Sequence, residues 1–174
     1  KLIDCITYVE RRVLLNSLGL LMYNELQTAL SDLPASDQKW KDLVNGKEYD
    51  GKVWIGLGNA KSLLCYAVRV EFLDQNSTYW STFGITKPDA ENAKNITPAF
   101  EIASTYQKFI EKYQGGFSSE PFRYYEIGVS FVDYYGNHNN VDVSLFQYLR
   151  DNIDVYGWSQ EFFKGYENTL NSFG

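Results

Sequence analysis

Apolar residues recur at helical spacing through most of the first 114 residues, and glycine or proline breaks that spacing wherever a helix has to end. A chain patterned this way must bury each amphipathic stripe against another helix, which makes a bundle the natural outcome. The first helix runs from about Asp4 to Asn16, with Ile6, Val9, Val13 and Leu14 on one face, and Gly19 offers a C-cap or turn. A second runs from about Leu20 to Leu30 and is ended by Pro34. A third is capped by Ser36 and carries Trp40 and Leu43. Leu63, Leu64, Ala67, Val70 and Leu73 place a fourth between about Asn59 and Trp80. Thr97 as N-cap and Pro98 at the first helical position open a fifth, with Phe100, Ala103, Tyr106, Phe109, Ile110 and Tyr113, until Gly115-Gly116 stops it. Between the third and fourth, Asn45-Gly46 and Asp50-Gly51 flank Val53-Trp54-Ile55 and read as a loop or small hairpin. The expected fold class is mainly α: a small bundle of about five helices, residues 1–114.

The remaining 60 residues have a different character. Tyr125, Ile127, Val129 and Phe131 alternate with Glu126, Gly128 and Ser130, which suits an edge strand or extended arm. Gly136 to Asn140 reads as a turn, followed by a short helix from about Ser144 to Asn152 and another from Trp158 to Tyr166. Residues 115–174 hold 15 of the 29 aromatic residues, eight acidic and three basic residues. The C-terminal third is therefore expected to be an extended aromatic arm or short β element with short helices, either part of the bundle's domain or appended to it. Its rings either close the domain's own core or pack against a partner, since aromatics bring large contact area at low entropy cost.

Sixteen basic against 22 acidic residues give a net charge of −6, which argues against a dedicated nucleic-acid binder. Cys5 and Cys65 are too few for a disulfide framework and read as reduced core thiols of a cytosolic setting. Arg11-Arg12 followed by Val13 to Met22 mimics a secretory signal, but Asn16, Gly19 and the flanking Glu10 fit two helix segments meeting at a turn. That run is too short to span a bilayer. The sequons at Asn76 and Asn95 carry no weight without a secretion signal.

Four constellations look like chemistry: two fail on spacing, one lacks its companion motifs, and one cannot be read from sequence at all. Val53 to Ser62 suggests a phosphate loop, yet Ile55 and Ala60 stand where its bounding glycines belong, and Lys61 replaces the third glycine of a dinucleotide fingerprint. Ser36-Asp37-Gln38-Lys39 has the spacing of an acyl-serine pair without its companion motifs. Around His138, Tyr135 and Gly136 spoil the alternating oxygens of a calcium loop begun at Asp133, and a lone His makes a poor metal site. A carboxylate pair among 22 acids is unreadable from sequence. The expectation is no catalytic residues, no metal and no cofactor.

The order of segments resembles the head–tail connector, or adaptor, proteins of tailed bacteriophages, and is similar to the variety in crAss-like phages. The likeness rests on Tyr8-Val9-Glu10-Arg11-Arg12 and Leu18-Gly19 leading into Tyr23-Asn24-Glu25-Leu26. It continues with Leu43-Val44-Asn45-Gly46, Tyr49, Trp54 and Gly56-Leu57 before the helix of Leu63, Leu64 and Tyr66. It ends with Leu145-Phe146, Tyr148-Leu149, Tyr156, Trp158 and Asn171-Ser172-Phe173-Gly174. Residues 122–143 extend beyond the small helical adaptors.

The resemblance implies a virion structural protein rather than an enzyme. Copies would form a ring in the neck, twelve-fold by the likeness, joining portal protein to tail and surrounding the DNA passage. Its partners would be its own copies, the portal and other neck or tail proteins, with DNA passing unbound and no membrane involved; it would reside in the virion, and in host cytoplasm during assembly. Tyr124, Tyr125, Phe131, Tyr134 and Tyr135 are the expected arm contacts at such an interface, with Trp54 and Trp158 as anchors or core. The alternative is a monomeric glycan-binding or glycan-hydrolysing accessory domain using exposed Tyr and Trp; an acidic DNA mimic ranks last, because the acids are interleaved with Tyr and Phe.

Overall fold

A computed structural model describes residues 1–76, 79–81, 84–86, 98–115, 141–158 and 163–166. The elements run α1 (Leu2–Ser31), a 3₁₀ turn (Leu33–Ala35), α2 (Gln38–Asn45), β1 (Lys47–Tyr49), β2 (Lys52–Trp54), α3 (Leu63–Asn76), β3 (Tyr79–Ser81), β4 (Gly84–Thr86), α4 (Pro98–Gln114), β5 (Val141–Asp142), α5 (Leu145–Asp151) and α6 (Ile153–Tyr156). The chain is mainly α-helical, as its periodicity requires, with α3 packed against both α1 and α4.

Helix α1 joins the two helices expected before Pro34 end to end. Gly19 breaks it, with φ 71° and ψ 171°, a conformation open to glycine and strained for any residue with a Cβ. Cys5, Val9 and Val13, four residues apart, put one line of side chains into the core, and Leu14 and Leu18 extend it. Beyond the break only Leu26 and Ala29 are buried. Ile6, one residue and about 100° round the helix from Cys5, lies outside this line and is exposed, against the sequence expectation.

The hairpin falls where Asp50-Gly51 predicts it. Both residues have positive φ, 46° and 72°, the requirement of a type I′ turn. Strand β2 then pairs in parallel with β5, Lys52 opposite Val141 and Val53 opposite Asp142, giving a three-stranded sheet in the order β1-β2-β5. The two residues of β5 are the strand of this sheet that lies in the C-terminal third; the stretch 124–135, read from sequence as a strand or arm, lies outside the described residues. The chain leaving β2 passes so close to the end of α2 that a Cβ on Gly56 would stand 2.5 Å from Val44 O and from Gly46 N. Leu57 N–H and Gly58 N–H donate to the carbonyls of Leu43 and Val44 at 3.1 and 2.8 Å, closing the approach.

Several expectations are corrected. The fourth helix starts at Leu63 and ends at Asn76, whose Nδ2 donates to Phe72 O. Tyr79 to Ser81 is instead a strand paired antiparallel with β4, in keeping with the β preference of Tyr and Trp. Ser36 does not cap α2: its hydroxyl turns back to donate to Leu33 O, and Asp37 stands at the N-cap. Phe100 is exposed, because Ile102 rather than Phe100 continues the inward line of Thr105, Phe109 and Tyr113. Residues 163–166 are not helical, so no helix runs through to Tyr166; a single turn at Ile153–Tyr156 follows α5 instead. Pro98 opens α4, and Ser144 caps α5 by accepting from Gln147 N–H. The alternating stretch 124–135, the turn at 136–140, Thr97 and His138 lie outside the described residues.

Candidate interaction surface

Two matching polar clusters clamp the β1–β2 hairpin to its neighbours. In the first, Asp42 of α2 accepts from Tyr156 OH of α6, from Gln38 Nε2 and from Lys47 Nζ at 3.2 Å, while Lys47 also donates to Tyr156 OH. In the second, Asp151 of α5 accepts from Lys52 Nζ at 2.6 Å, from Tyr49 OH at 3.1 Å and from Gln147 Nε2. Each cluster sets one lysine, one tyrosine and one glutamine around one aspartate, with the lysine also lying near a tyrosine ring. Burial pushes the Asp42 carboxyl up, but the hydrogen bonds from Tyr156, Gln38 and Lys47 outweigh it and hold its pKa below the usual value. The hydrogen bond to Tyr156, with those to Asp42 and its charge, holds Lys47 above the usual lysine value despite burial. Burial and the Asp151 charge and hydrogen bond push the Tyr49 phenol well up. These carboxylates are saturated by an ammonium, a phenol and an amide. The clusters tie α2, α5 and α6 to the sheet.

Between them lies an aromatic column. Trp54 stacks on Tyr148 with centroids 5.0 Å apart and planes 12° off parallel; Tyr148 meets Trp158 edge-on at 5.4 Å, and Trp158 lies 6.5 Å from Trp40. Trp54 Nε1 donates to Leu43 O at 2.9 Å. Trp158 Nε1 and the Tyr148 hydroxyl are buried without a hydrogen-bond partner among the described residues. A second group joins Phe109 and Tyr113 of α4 to Phe163 and Tyr166, where Gln114 and Tyr166 exchange side-chain and backbone hydrogen bonds at 2.9 and 2.7 Å. Trp54 and Trp158 are 2% and 4% exposed, so both belong to the core and present no ring at the surface. The other interface residues expected from sequence, Tyr124, Tyr125, Phe131, Tyr134 and Tyr135, lie outside the described residues.

Two of the motifs weighed from sequence spend their polar groups elsewhere in the structure. The glycine loop after β2 spends its Leu57 and Gly58 N–H groups on Leu43 and Val44 carbonyls, leaving neither for an anion. Ser36 bonds Leu33, while Lys39 pairs with Glu25. Among the described residues no group of three or more His, Cys, Asp or Glu is placed to hold a metal ion. Among them, too, no helix is long and apolar enough to cross a membrane.

What sequence reading missed is the outer face of α1. Leu2, Ile3, Ile6 and Tyr8 are 49, 77, 39 and 56% exposed, and Leu20 and Leu21, just past the Gly19 break, are 63 and 74% exposed. Between α1 and α3 an open groove of about 640 Å³ is walled by Leu2 and Ile6 on one side and Leu64, Val68 and Phe72 on the other. Its floor is the turn after β2, and Cys65 opens into it. Exposed apolar surface of this extent marks contact with another molecule more often than chance. The signal was present in the sequence: Leu2, Ile3, Cys5, Ile6 and Val9 make an apolar arc too wide for one buried face. No family model matches the chain, and no curated protein or solved structure matches it either.

Proposed function

We propose that the chain is a structural subunit of a tailed-phage neck, forming a ring that joins portal to tail around the DNA passage. The observation that carries this reading is the apolar outer face of α1 with its groove against α3, beside a hairpin held by polar clamps and a packed aromatic column. A rigid helical wedge with apolar surface in more than one place suits a ring subunit, which meets identical neighbours through two different faces. The segment around Tyr124, Tyr125, Phe131, Tyr134 and Tyr135 would supply arm contacts to a neighbour. A net charge of −6 favours a lumen through which DNA slides. Burial of Trp40, Trp54 and Trp158 removes three of the four tryptophans from any sugar-stacking role, which weighs against the glycan-binding alternative.

Quantitative peptide mass spectrometry on purified particles of the source virus tests the reading. A small whole-number ratio of this chain to the portal protein is expected. Absence from the particle refutes it.

A further inference from the structure

Two apolar features of α1 cannot cover one another within one molecule. The groove is walled by Leu2 and Ile6, with Glu10 continuing that line, and by Leu64, Val68 and Phe72 of α3. Each wall repeats every four residues over eight, so the groove is about 12 Å long at 1.5 Å rise per residue. The ridge is Leu20 and Leu21, two adjacent leucines that both face outward because the Gly19 break resets the helix phase behind the buried Leu18. Ile6 and Leu20 are separated by 14 positions of α1, roughly 20 Å along the helix.

The charges around the two features are complementary. Glu10 lines the groove together with Arg69, whose charge is already paired with Glu101, and the exposed Lys164 is held at the last turn before the Gly19 break, its backbone N–H donating to Asn16 O, four residues before Leu20, at 2.7 Å. Neither Glu10 nor Lys164 forms an ion pair among the described residues. Each feature thus carries an apolar surface and an unused charge that the other can satisfy.

We propose that copies of this chain associate head to tail, the Leu20–Leu21 ridge of one seated in the α1–α3 groove of the next, with Lys164 facing Glu10. The inference rests on the reading of the chain as a ring subunit and names the contact that would build the ring. Because the two surfaces differ, the contact is heterologous: it repeats from copy to copy and ends only when the ring closes. An apolar pair set in a groove with a flanking charge pair is the arrangement in which a few residues dominate affinity.

Cys65 makes the proposal testable, since its exposed thiol opens into the groove. A disulfide forms only when the Cα atoms come within about 7 Å, so cross-linking reports register as well as proximity. The full chain carrying Leu21→Cys is oxidised mildly and run on a non-reducing gel. The expected result is a ladder of trimers and higher species that disappears when Cys65→Ser is added. Dimers that persist in the Cys65→Ser background show a ridge-to-ridge contact, and monomers throughout show a groove filled by some other partner or by none; either result overturns the proposal.

Leu20→Ser/Leu21→Ser is the second variant. Both positions are outside the core, so its far-UV circular dichroism is expected to match the parent. Its self-association by sedimentation is expected to weaken roughly tenfold or more, and unchanged self-association also overturns the proposal. The outcomes separate from those for the neck reading. A chain stoichiometric in particles but without a ladder loses this contact and keeps the function; a ladder from a chain absent from particles does the reverse.

Discussion

Gly56→Ala is expected to be among the most damaging single-methyl changes in this protein, and Gly51→Ala supplies its control. Both positions have positive φ, 83° and 72°, so both variants meet the same backbone strain of about 1 kcal/mol. A Cβ on Gly51 would meet nothing within 4 Å. A Cβ on Gly56 would lie 2.5 to 2.6 Å from Gly46 N, Val44 O and Asn45 C, roughly 1 Å inside ordinary contact. All three are backbone atoms at the end of α2, so no side chain can rotate away, and the helix and the strand exit must separate.

Overpacking of this kind costs about 1–3 kcal/mol. Restricting the unfolded chain returns about 0.5 kcal/mol in both variants. The expected loss is therefore about 0.5 kcal/mol for Gly51→Ala and about 2.5 kcal/mol for Gly56→Ala. For a chain of this length the 2 kcal/mol difference is roughly 4–8 °C in Tm. Urea unfolding followed by tryptophan fluorescence reads both, because Trp40, Trp54 and Trp158 are buried in the folded chain. Two variants agreeing within about 0.5 kcal/mol would refute the argument that backbone proximity, rather than φ alone, demands glycine here.

Trp54→Phe is expected to cost about 1 kcal/mol more than Trp158→Phe in the same urea assay, since Trp54 Nε1 has a buried carbonyl to lose while Trp158 Nε1 has no partner among the described residues; equal costs would contradict this. Asp42→Asn is expected to flatten the acid limb of stability. The native pKa of Asp42 lies below its unfolded value near 3.9, so its contribution is present above that unfolded pKa and is lost as pH falls through the lower folded one. The parent should therefore lose stability more steeply than the variant below about pH 4, measured by thermal melts from pH 7 to pH 2. With a thiol reagent the native chain is expected to react at Cys65 and to spare Cys5, which is buried and whose thiol burial holds above its usual pKa, until urea unfolds the protein.

Much of the architecture was legible because its causes are local. Periodicity gave the helices, Gly19 broke α1, Asp50-Gly51 made the hairpin turn, Pro98 opened α4 and Gly115 closed it. The misreadings fall where local preference has a close competitor. Ser36 had an acceptor in the preceding 3₁₀ turn as well as a helix to cap, and the helix through Val70 and Leu73 met the β-favouring Tyr79 and Trp80. Ile6 and Phe100 read as inward because an apolar residue near a stripe looks like part of it; a rotation of one or two residues decides otherwise.

The candidate surface was less legible still. Sequence by itself determined that this chain is a mainly helical, acidic bundle rich in rings. Only the tertiary structure decided which rings are core and which apolar residues are left over. Trp54 is buried because β5 and α5, almost a hundred residues later, bring Tyr148 onto its face. Leu20 and Leu21 are exposed because, among the described residues, no element passes over the Gly19 break to cover them. Burial is a property of what the rest of the chain leaves open, and periodicity within one helix carries no record of its neighbours.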